Sequence, residues 1–184
     1  VIGILNEFMS SGDTLLSAAG TPPGDLHQLF EATAGRNLHL EFGNSCMGYH
    51  IPGAIGVQMA KDNQDEIYVF LGDGNYMMHP MELVTAIQER IKLTVILLDN
   101  NGYQSIHGHQ KVLVGHSLGN EFRVRDEATD TLDAGDFIEI DYVKNAESIG
   151  LRAWYADAED TLKSALTEAK SETRSCMIVV PIER

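Results

Sequence analysis

The sequence predicts an α/β protein with a three-layer, doubly wound and mainly parallel sheet that has helices on both faces. Two short apolar runs, residues 67–71 and 93–98, have the composition of strands buried on both sides. Between them, residues 77–91 carry apolar side chains at intervals of three and four, which is typical of an amphipathic helix. Strand, helix and strand form a right-handed crossover, and 184 residues suit one domain.

Other apolar runs and turn signals predict the remaining elements in chain order. Residues 4–9 predict a short helix, and a rigid loop at 20–25 leads into a helix at 26–33. The remaining predicted strands are residues 14–19, 38–42, 151–155 and 176–181. The remaining predicted helices are residues 51–61, residues 142–149 between Asp141 as N-cap and Gly150 as stop, and a helix capped by Asp157.

Residues 104–135 show no regular period. This stretch contains scattered glycines, many charges and three histidines, His107, His109 and His116. Long aperiodic segments in compact domains are usually active-site covers or mobile regions, so we predict a mobile active-site segment that orders over a ligand or against a second chain. A histidine metal site is the weaker alternative, because no carboxylate or cysteine lies at ligand spacing with these histidines.

The composition limits the classes of partner and the compartment. Lys and Arg total 13 against 27 for Asp and Glu, a formal charge of −14 that argues against nucleic acid and anionic membranes. Cys46 and Cys176 form neither a disulfide framework nor a zinc spacing, so the cytoplasm is the simplest compartment. No apolar run reaches membrane length. Since the sequence opens on Val1, we expect residues 1–184 to be a single domain from a longer chain.

Two turns that follow the buried strands carry the candidate site. Gly72, Asp73 and Gly74 follow the first strand, and Asn100 and Gly102 follow the second. Open α/β sheets hold ligands at the carboxyl ends of their strands. Adjacent parallel strands lie roughly 5 Å apart, so the two turns can share one cation. Hard oxygen ligands beside glycines suit Mg²⁺ carrying a diphosphate, whereas the alternative is a tight turn with Asp73 as an incidental cap.

A Gly-Asp-Gly turn followed by an Asn pair and Gly resembles the cofactor-binding motif of thiamine-diphosphate-dependent enzymes. Asp73 and Asn100 are separated by 27 positions, which fits that motif. The resemblance covers nearly the whole chain and implies the thiamine-diphosphate-binding fold, with thiamine diphosphate and Mg²⁺ as cofactors. It also implies that the Asp73 carboxylate, the Asn100 side-chain oxygen and the Gly102 carbonyl hold Mg²⁺, and that the amides of Gly74 and Asn75 face the diphosphate.

Further cofactor contacts follow from the same resemblance. Met47 corresponds to the bulky apolar residue that is wedged under the bent cofactor. The backbone carbonyl of Ser45 corresponds to the acceptor for the 4′-amino group, although many relatives have glycine at this place. Gly72 belongs to the diphosphate turn. His27 lies near a helix N-terminus after the first strand and can contact a phosphate there, with a plain surface or core histidine as an equally open reading.

Within the family, residues 45–49, 119–123 and 144–147 resemble members that add water across a C–C bond of a cyclic 1,2-diketone in inositol catabolism. The resemblance therefore implies a hydrolase acting on C–C bonds, with a cyclic diketone or a 2-oxo acid as substrate. Family members take their activating Glu from a pyrimidine-binding domain, usually of another subunit. We find no such domain here, so we expect a homo-oligomer, at least a dimer, and little turnover by this chain alone.

Two other functions remain open at this point. One is the diphosphate-binding domain or small subunit of a 2-oxo acid decarboxylase or an acetolactate-type carboligase. The other is a non-enzymatic α/β module in which Asp73 binds Mg²⁺ and a nucleotide.

Overall fold

The computed structural model describes residues 1–183 and contains, within them, six strands and eight helices. The strands are β1 (Thr14–Ser17), β2 (Asn37–Leu40), β3 (Ile67–Gly72), β4 (Thr94–Asp99), β5 (Arg152–Tyr155) and β6 (Cys176–Pro181). The helices are α1 (Ile2–Phe8), α2 (Pro22–Leu29), α3 (His50–Ala60), α4 (Asp73–Tyr76), α5 (Glu82–Gln88), α6 (Gln104–Val114), α7 (Tyr142–Ile149) and α8 (Glu159–Ser171). The strand order is β2-β1-β3-β4-β6-β5, and every neighbouring pair is parallel. The predicted fold class is confirmed.

The sheet separates two apolar cores, one on each face. On one face, alternate strand residues such as Val69 and Val95 pack with α3, α5 and α7. On the other face, Phe70 and Ile96 pack with α1, α2 and α8. Because helices cover both faces, the central strands β3 and β4 are buried on both sides, which explains their continuous apolar composition.

The connections that leave β1 and β3 run to opposite faces of the sheet. These two strands are neighbours, yet β1 leads into α2 on one face and β3 leads towards α5 on the other. Such a reversal opens a crevice at the carboxyl ends of the two strands, where doubly wound proteins bind ligands. β4 lies on the other side of β3, with Leu71 opposite Leu97. The turns after β3 and β4 therefore lie side by side, as predicted.

Two helices begin at positions that differ from the prediction. α2 starts at Pro22, inside the predicted loop, because proline has a helical φ and the first turn of a helix needs no amide donor. It ends at Leu29, short of the predicted 26–33. The N-cap of α8 is Ala158 and not Asp157, and the Ala158 amide donates to the hydroxyl of Thr161 at 3.0 Å.

The predicted helix at 77–91 is interrupted. Within that range only α5 is helical, because α4 already ends at Tyr76 and a turn that contains Pro80 lies between the two helices. Proline cannot donate a backbone hydrogen bond to Tyr76, four residues earlier, and its ring clashes with that carbonyl. The apolar periodicity continues through the turn, so the pattern alone did not indicate the break.

A helix occupies the beginning of the segment that shows no regular period. α6 spans Gln104–Val114, and none of its residues is buried. A helix without a buried face needs no apolar stripe, which is why periodicity does not indicate it. The rest of the segment is joined to the domain by two isolated antiparallel bridges, Gly102 with Glu121 and Arg123 with Phe137.

The other elements are confirmed, with ends within two residues of the prediction. The side chain of Asp141 accepts a hydrogen bond from the Lys144 amide at 2.9 Å and so caps α7. Gly150 ends α7 with a left-handed φ of 105°. Among the described residues, no helix combines the length and the apolar character that crossing a membrane requires.

His50, at the start of α3, makes the stability of the domain depend on pH. Its side chain is 1% exposed, and Nε2 accepts a hydrogen bond from the Ala18 amide at 3.1 Å. Burial lowers the pKa of His50 to about 4. In the unfolded chain the pKa is about 6.5, so only the unfolded chain takes up this proton as the pH falls from about 6.5 to about 4. The contribution of His50 to stability therefore decreases over that range.

Replacement of His50 by glutamine is expected to remove this pH dependence, because glutamine keeps an acceptor and does not titrate. As the pH falls from 7 to 5, the free energy of unfolding of the wild type should decrease by about 2 kcal/mol more than that of His50→Gln. Urea unfolding of both proteins at both pH values measures this difference, in which the contributions of other titrating groups cancel. A difference that does not change with pH would contradict the assignment.

Candidate functional site

A cavity of about 580 Å³ lies at the carboxyl edge of the sheet, where the connections of β1 and β3 diverge. The loops after the first four strands line it, together with the first turns of α2 and α6 and the residues that follow β6. The lining residues are Ala19, Gly20, Thr21, Pro22, Asp25, Phe42, Ser45, Met47, Gly72, Gly74, Asn75, Leu98, Asn100, Gly102, Tyr103, Gln104, Ser105, Ile106, His109, Ile182 and Glu183. Most of the predicted site residues are therefore brought to one cavity.

The Asp73 carboxylate joins the two predicted turns. It follows β3 directly and is completely buried. Its Oδ1 accepts from the Gly74 amide at 2.8 Å, and its Oδ2 accepts from the Gly102 amide at 2.9 Å. Asp73 thus contacts the turn after β4 through a charged side chain that is held in one orientation.

The side-chain amide of Asn100 completes a group of three oxygen-bearing residues. One atom of this amide lies 2.9 Å from Asp73 Oδ1 and 3.0 Å from the carbonyl oxygen of Gly102. With nitrogen at that position, the amide donates to both oxygens. With oxygen at that position, three acceptors converge, and such a group needs a cation to stabilise it. Octahedral Mg²⁺ with bonds of about 2.1 Å keeps adjacent ligand oxygens about 3 Å apart, so these spacings fit a magnesium site.

Burial raises the pKa of Asp73 to about 7, and the negative charge of Asp99 adds to the increase. Hydrogen bonds from the backbone amides of Gly74, Gly102 and Asn100 lower the pKa of Asp73 but do not offset the effect of burial. Without a counter-charge, the ionised carboxylate is therefore costly at this position. A bound cation would stabilise the ionised form, because an opposite charge nearby favours it.

Asn75 connects the turn after β3 to the loop after β1. Its Nδ2 donates to the carbonyl oxygen of Ala19 at 3.1 Å. Its Oδ1 is buried and has no hydrogen-bond partner among the described residues. Since Asn75 lines the cavity, this side chain offers an acceptor that a donor on a ligand or on a bound water could satisfy.

Two glycines allow the turns to approach each other closely. A Cβ at Gly74 would lie 2.6 Å from the ring of Tyr103 and 3.3 Å from the carbonyl oxygen of Gly102. Gly102 has a φ of 145°, and a Cβ there would lie 2.3 Å from the carbonyl oxygen of Asn120. A side chain at position 102 would therefore disturb both the turn after β4 and its packing against Asn120.

The substitution Gly102→Ala is expected to destabilise the domain by about 3 kcal/mol, because it combines an unfavourable φ with a clash against backbone. Gly108→Ala is the matched control. Gly108 lies inside α6 with no atom within 4 Å of its added Cβ, so alanine should stabilise the helix by about 0.5–1 kcal/mol. Urea unfolding measures both effects. Equal stabilities for the two variants would show that the Gly102 turn is not under this constraint.

Three predicted cofactor contacts lie away from the metal turns. Ser45 and Met47 line the cavity from the loop after β2, and Ser45 has a left-handed φ of 50°. Met47 is 37% exposed, which leaves its apolar side chain accessible from the cavity. His27 is not among the lining residues, and its ring packs edge-on against Phe42 with centroids 5.7 Å apart. His27 therefore lies behind the cavity rim, and its contact with a phosphate stays a prediction.

Sequence reasoning predicted an active-site segment at residues 104–135, but it identified neither α6 nor any of the α6 residues that line the cavity. Ser105, Ile106 and His109 line it, as does Gln104, whose Nε2 donates to the carbonyl oxygen of Asn100 at 3.1 Å. The available signal was the position of these residues directly after the turn that follows β4. Within residues 1–183, no group of three or more His, Cys, Asp or Glu side chains is arranged to hold a metal ion, and the three histidines of this region form no such group.

A family model and several curated relatives match this chain. The family model for the thiamine pyrophosphate enzyme, C-terminal TPP binding domain, matches residues 18–180. Relatives that are 36% identical over 182 residues include the 3D-(3,5/4)-trihydroxycyclohexane-1,2-dione hydrolases of Bacillus thuringiensis (strain Al Hakam), Bacillus cereus (strain 03BB102) and Bacillus anthracis. These alignments cover 99% of this chain and 28% of each relative.

The matched region extends from the end of β1 almost to the end of β6, so it includes the turns after β1, β2, β3 and β4 that line the cavity. Thiamine pyrophosphate is another name for thiamine diphosphate. The sequence resemblance to thiamine-diphosphate-dependent enzymes is confirmed, and this chain belongs to the family of C-terminal TPP-binding domains of thiamine pyrophosphate enzymes.

Proposed function

We propose that this chain binds thiamine diphosphate through Mg²⁺ as the diphosphate-binding domain of a hydrolase that cleaves a C–C bond in a cyclic 1,2-diketone. The observation that carries the proposal is the convergence of the Asp73 carboxylate, the Asn100 side-chain amide and the Gly102 carbonyl beside the cavity, at spacings that suit Mg²⁺ when the amide presents its oxygen. The family supports the cofactor, and the names of the relatives support the reaction.

In this proposal, Asp73 supplies a carboxylate, Asn100 its side-chain oxygen and Gly102 its backbone carbonyl to Mg²⁺. The amide of Asn75 would face the diphosphate at the start of α4, where backbone donors favour anions. The Gly74 amide, which donates to Asp73 Oδ1 in this structure, would turn to the diphosphate once Mg²⁺ takes the carboxylate. Gly72 lines the same part of the cavity, and a Cβ there would meet only the carbonyl oxygen of Leu98, at 4.0 Å. This end of the cavity would therefore hold the charged part of the cofactor.

The loop after β2 would hold the other end of the cofactor. Met47 would pack under the bent cofactor, and the carbonyl oxygen of Ser45 would accept a hydrogen bond from the 4′-amino group. When bound, thiamine diphosphate supplies a carbon nucleophile and then an electron sink for cleavage of the C–C bond. The residues of this chain would bind and orient that group, and they would exclude water from one side of it.

We also propose that the site is completed by a pyrimidine-binding domain that carries the activating Glu, in a homo-oligomer. The chain spans 28% of the length of the curated relatives it matches, so these partners and the substrate are proposals for the whole protein. Residues 1–184 would form one domain, and residues 104–135 its mobile active-site segment. Both cysteines are free, in keeping with the proposed cytoplasmic location. We expect little turnover by this chain alone.

Isothermal titration calorimetry tests the proposed cofactor directly. The chain should bind thiamine diphosphate in the presence of Mg²⁺, with much weaker binding when EDTA replaces the metal. ATP with Mg²⁺ serves as the comparison ligand, since a nucleotide-binding module would prefer it. Binding of ATP without binding of thiamine diphosphate would reject the proposed function in favour of such a module.

A further inference from the structure

The loop that carries Ser45 and Met47 is held by a residue that does not line the cavity. Glu41 follows β2 directly, and its own amide donates to the carbonyl oxygen of Ser17 in β1 at 3.2 Å. Its backbone is therefore fixed to the sheet, while its side chain extends towards the loop. Glu41 does not line the cavity, so any effect of Glu41 on a ligand must act through the loop.

The Glu41 carboxylate binds the amides on both sides of Ser45. Oε1 accepts from the Asn44 amide at 3.3 Å, and Oε2 accepts from the Cys46 amide at 2.9 Å. Between these two bonds, Ser45 has a φ of 50°, a left-handed conformation that non-glycine residues seldom adopt. Glu41 thus stabilises a strained conformation at a residue that lines the cavity.

The second of these bonds also fixes the direction of the Ser45 carbonyl. The Ser45 carbonyl and the Cys46 N–H belong to one planar trans peptide group, in which the two bonds point in opposite directions. Because the Cys46 N–H points at Glu41, the Ser45 oxygen points away from Glu41. The negative charge of the Glu41 carboxylate, next to the Cys46 N–H, also polarises the peptide group and makes its carbonyl oxygen a stronger acceptor.

We propose that Glu41 is a positioning residue that orients the Ser45 carbonyl towards the aminopyrimidine end of the cofactor. The inference rests on the proposed function, because it assigns the Ser45 carbonyl to the 4′-amino group. The contact from the Cys46 amide lowers the pKa of the Glu41 carboxyl, so the anion that makes both hydrogen bonds is the form present at neutral pH. Alanine would remove both acceptors, and glutamine would keep one acceptor oxygen.

Three probes distinguish positioning from a general structural role. They are thiamine diphosphate, its analogue without the 4′-amino group, and inorganic diphosphate, each titrated with Mg²⁺ into the wild type, Glu41→Ala and Glu41→Gln. We expect Glu41→Ala to weaken the binding of thiamine diphosphate roughly tenfold, because loss of one or two hydrogen bonds has an effect of this size. Glu41→Gln should weaken the binding less. The affinities for the deaminated analogue and for inorganic diphosphate should stay unchanged, because neither has the 4′-amino donor.

Glu31→Ala is the matched control, since Glu31 is an exposed carboxylate on a different loop that makes no hydrogen bond or ion pair with residues 43–47. Its affinity for all three probes should equal that of the wild type. Equal weakening of all three probes by Glu41→Ala would overturn the inference and leave a structural role. Equal affinity of Glu41→Ala and the wild type for thiamine diphosphate would overturn it as well. If the wild type binds none of the probes, the proposed function itself fails.

Discussion

Replacement of Asp73 by asparagine is expected to weaken magnesium-dependent binding of thiamine diphosphate by roughly 100-fold or more. Loss of a residue that only supports a metal ligand typically costs 10- to 100-fold in affinity, so loss of a charged ligand should cost at least the upper end of that range. Asp73 is the single carboxylate among the three proposed ligands, and its burial removes the water that would screen its charge. Calorimetry with a fixed excess of Mg²⁺ measures the change.

The variant should remain folded. At neutral pH an asparagine side chain removes a buried charge that the metal-free domain stabilises poorly, and it keeps one acceptor for the amides of Gly74 and Gly102. We therefore expect the thermal midpoint of metal-free Asp73→Asn to be no lower than that of the wild type. Asp25→Asn is the control, because Asp25 lines the same cavity from α2 and should not lose affinity. Full affinity in Asp73→Asn would remove Asp73 from the metal site.

Metal affinity is expected to fall as the pH decreases below about 7. Burial raises the pKa of Asp73 to about 7 in the metal-free domain, and only the carboxylate can bind the cation. Below that pH, each metal ion must displace a proton, so the observed affinity should fall by up to about tenfold per pH unit between pH 7 and pH 5. Above pH 8 it should be constant.

Electron paramagnetic resonance with Mn²⁺ alone measures this dependence without interference from the ionisation of the diphosphate.

The raised pKa of Asp73 also predicts how this residue affects folding. Its pKa is higher in the folded state than in the unfolded state, so its contribution to stability is present at low pH and is lost as the pH rises towards 7. A bound cation should restore that stability at neutral pH. A pH-independent affinity for Mn²⁺ would contradict the assignment of Asp73.

The arrangement of the two turns could be predicted from sequence because it depends on strong local signals. The apolar composition of β3 and β4 indicates buried parallel strands, and parallel strands place their carboxyl ends on one edge. The positions of Asp73, Asn100 and Gly102 follow from that edge and from the 27 positions between the first two. Here local composition, turn chemistry and global topology agree.

Other parts of the cavity have no such signal. α6 has no buried residue, so it carries no apolar stripe, and the lining residues Ser105 and His109 could not be identified from a pattern. The break at Pro80 is hidden by an apolar periodicity that continues through it. The contacts of Glu41 with loop amides depend on the conformation of the loop after β2, and side chain to backbone bonds of this kind leave no periodic trace.

Crystals of the chain grown with Mn²⁺ and thiamine diphosphate provide the most direct test, because manganese replaces magnesium at oxygen sites and scatters anomalously. The account predicts one strong anomalous peak in contact with the Asp73 carboxylate, the Asn100 side-chain oxygen, the Gly102 carbonyl and the diphosphate. It also predicts that the Asn100 amide presents its oxygen to the metal. A peak at the histidines of α6, or bound thiamine diphosphate with no metal at Asp73, would contradict the account.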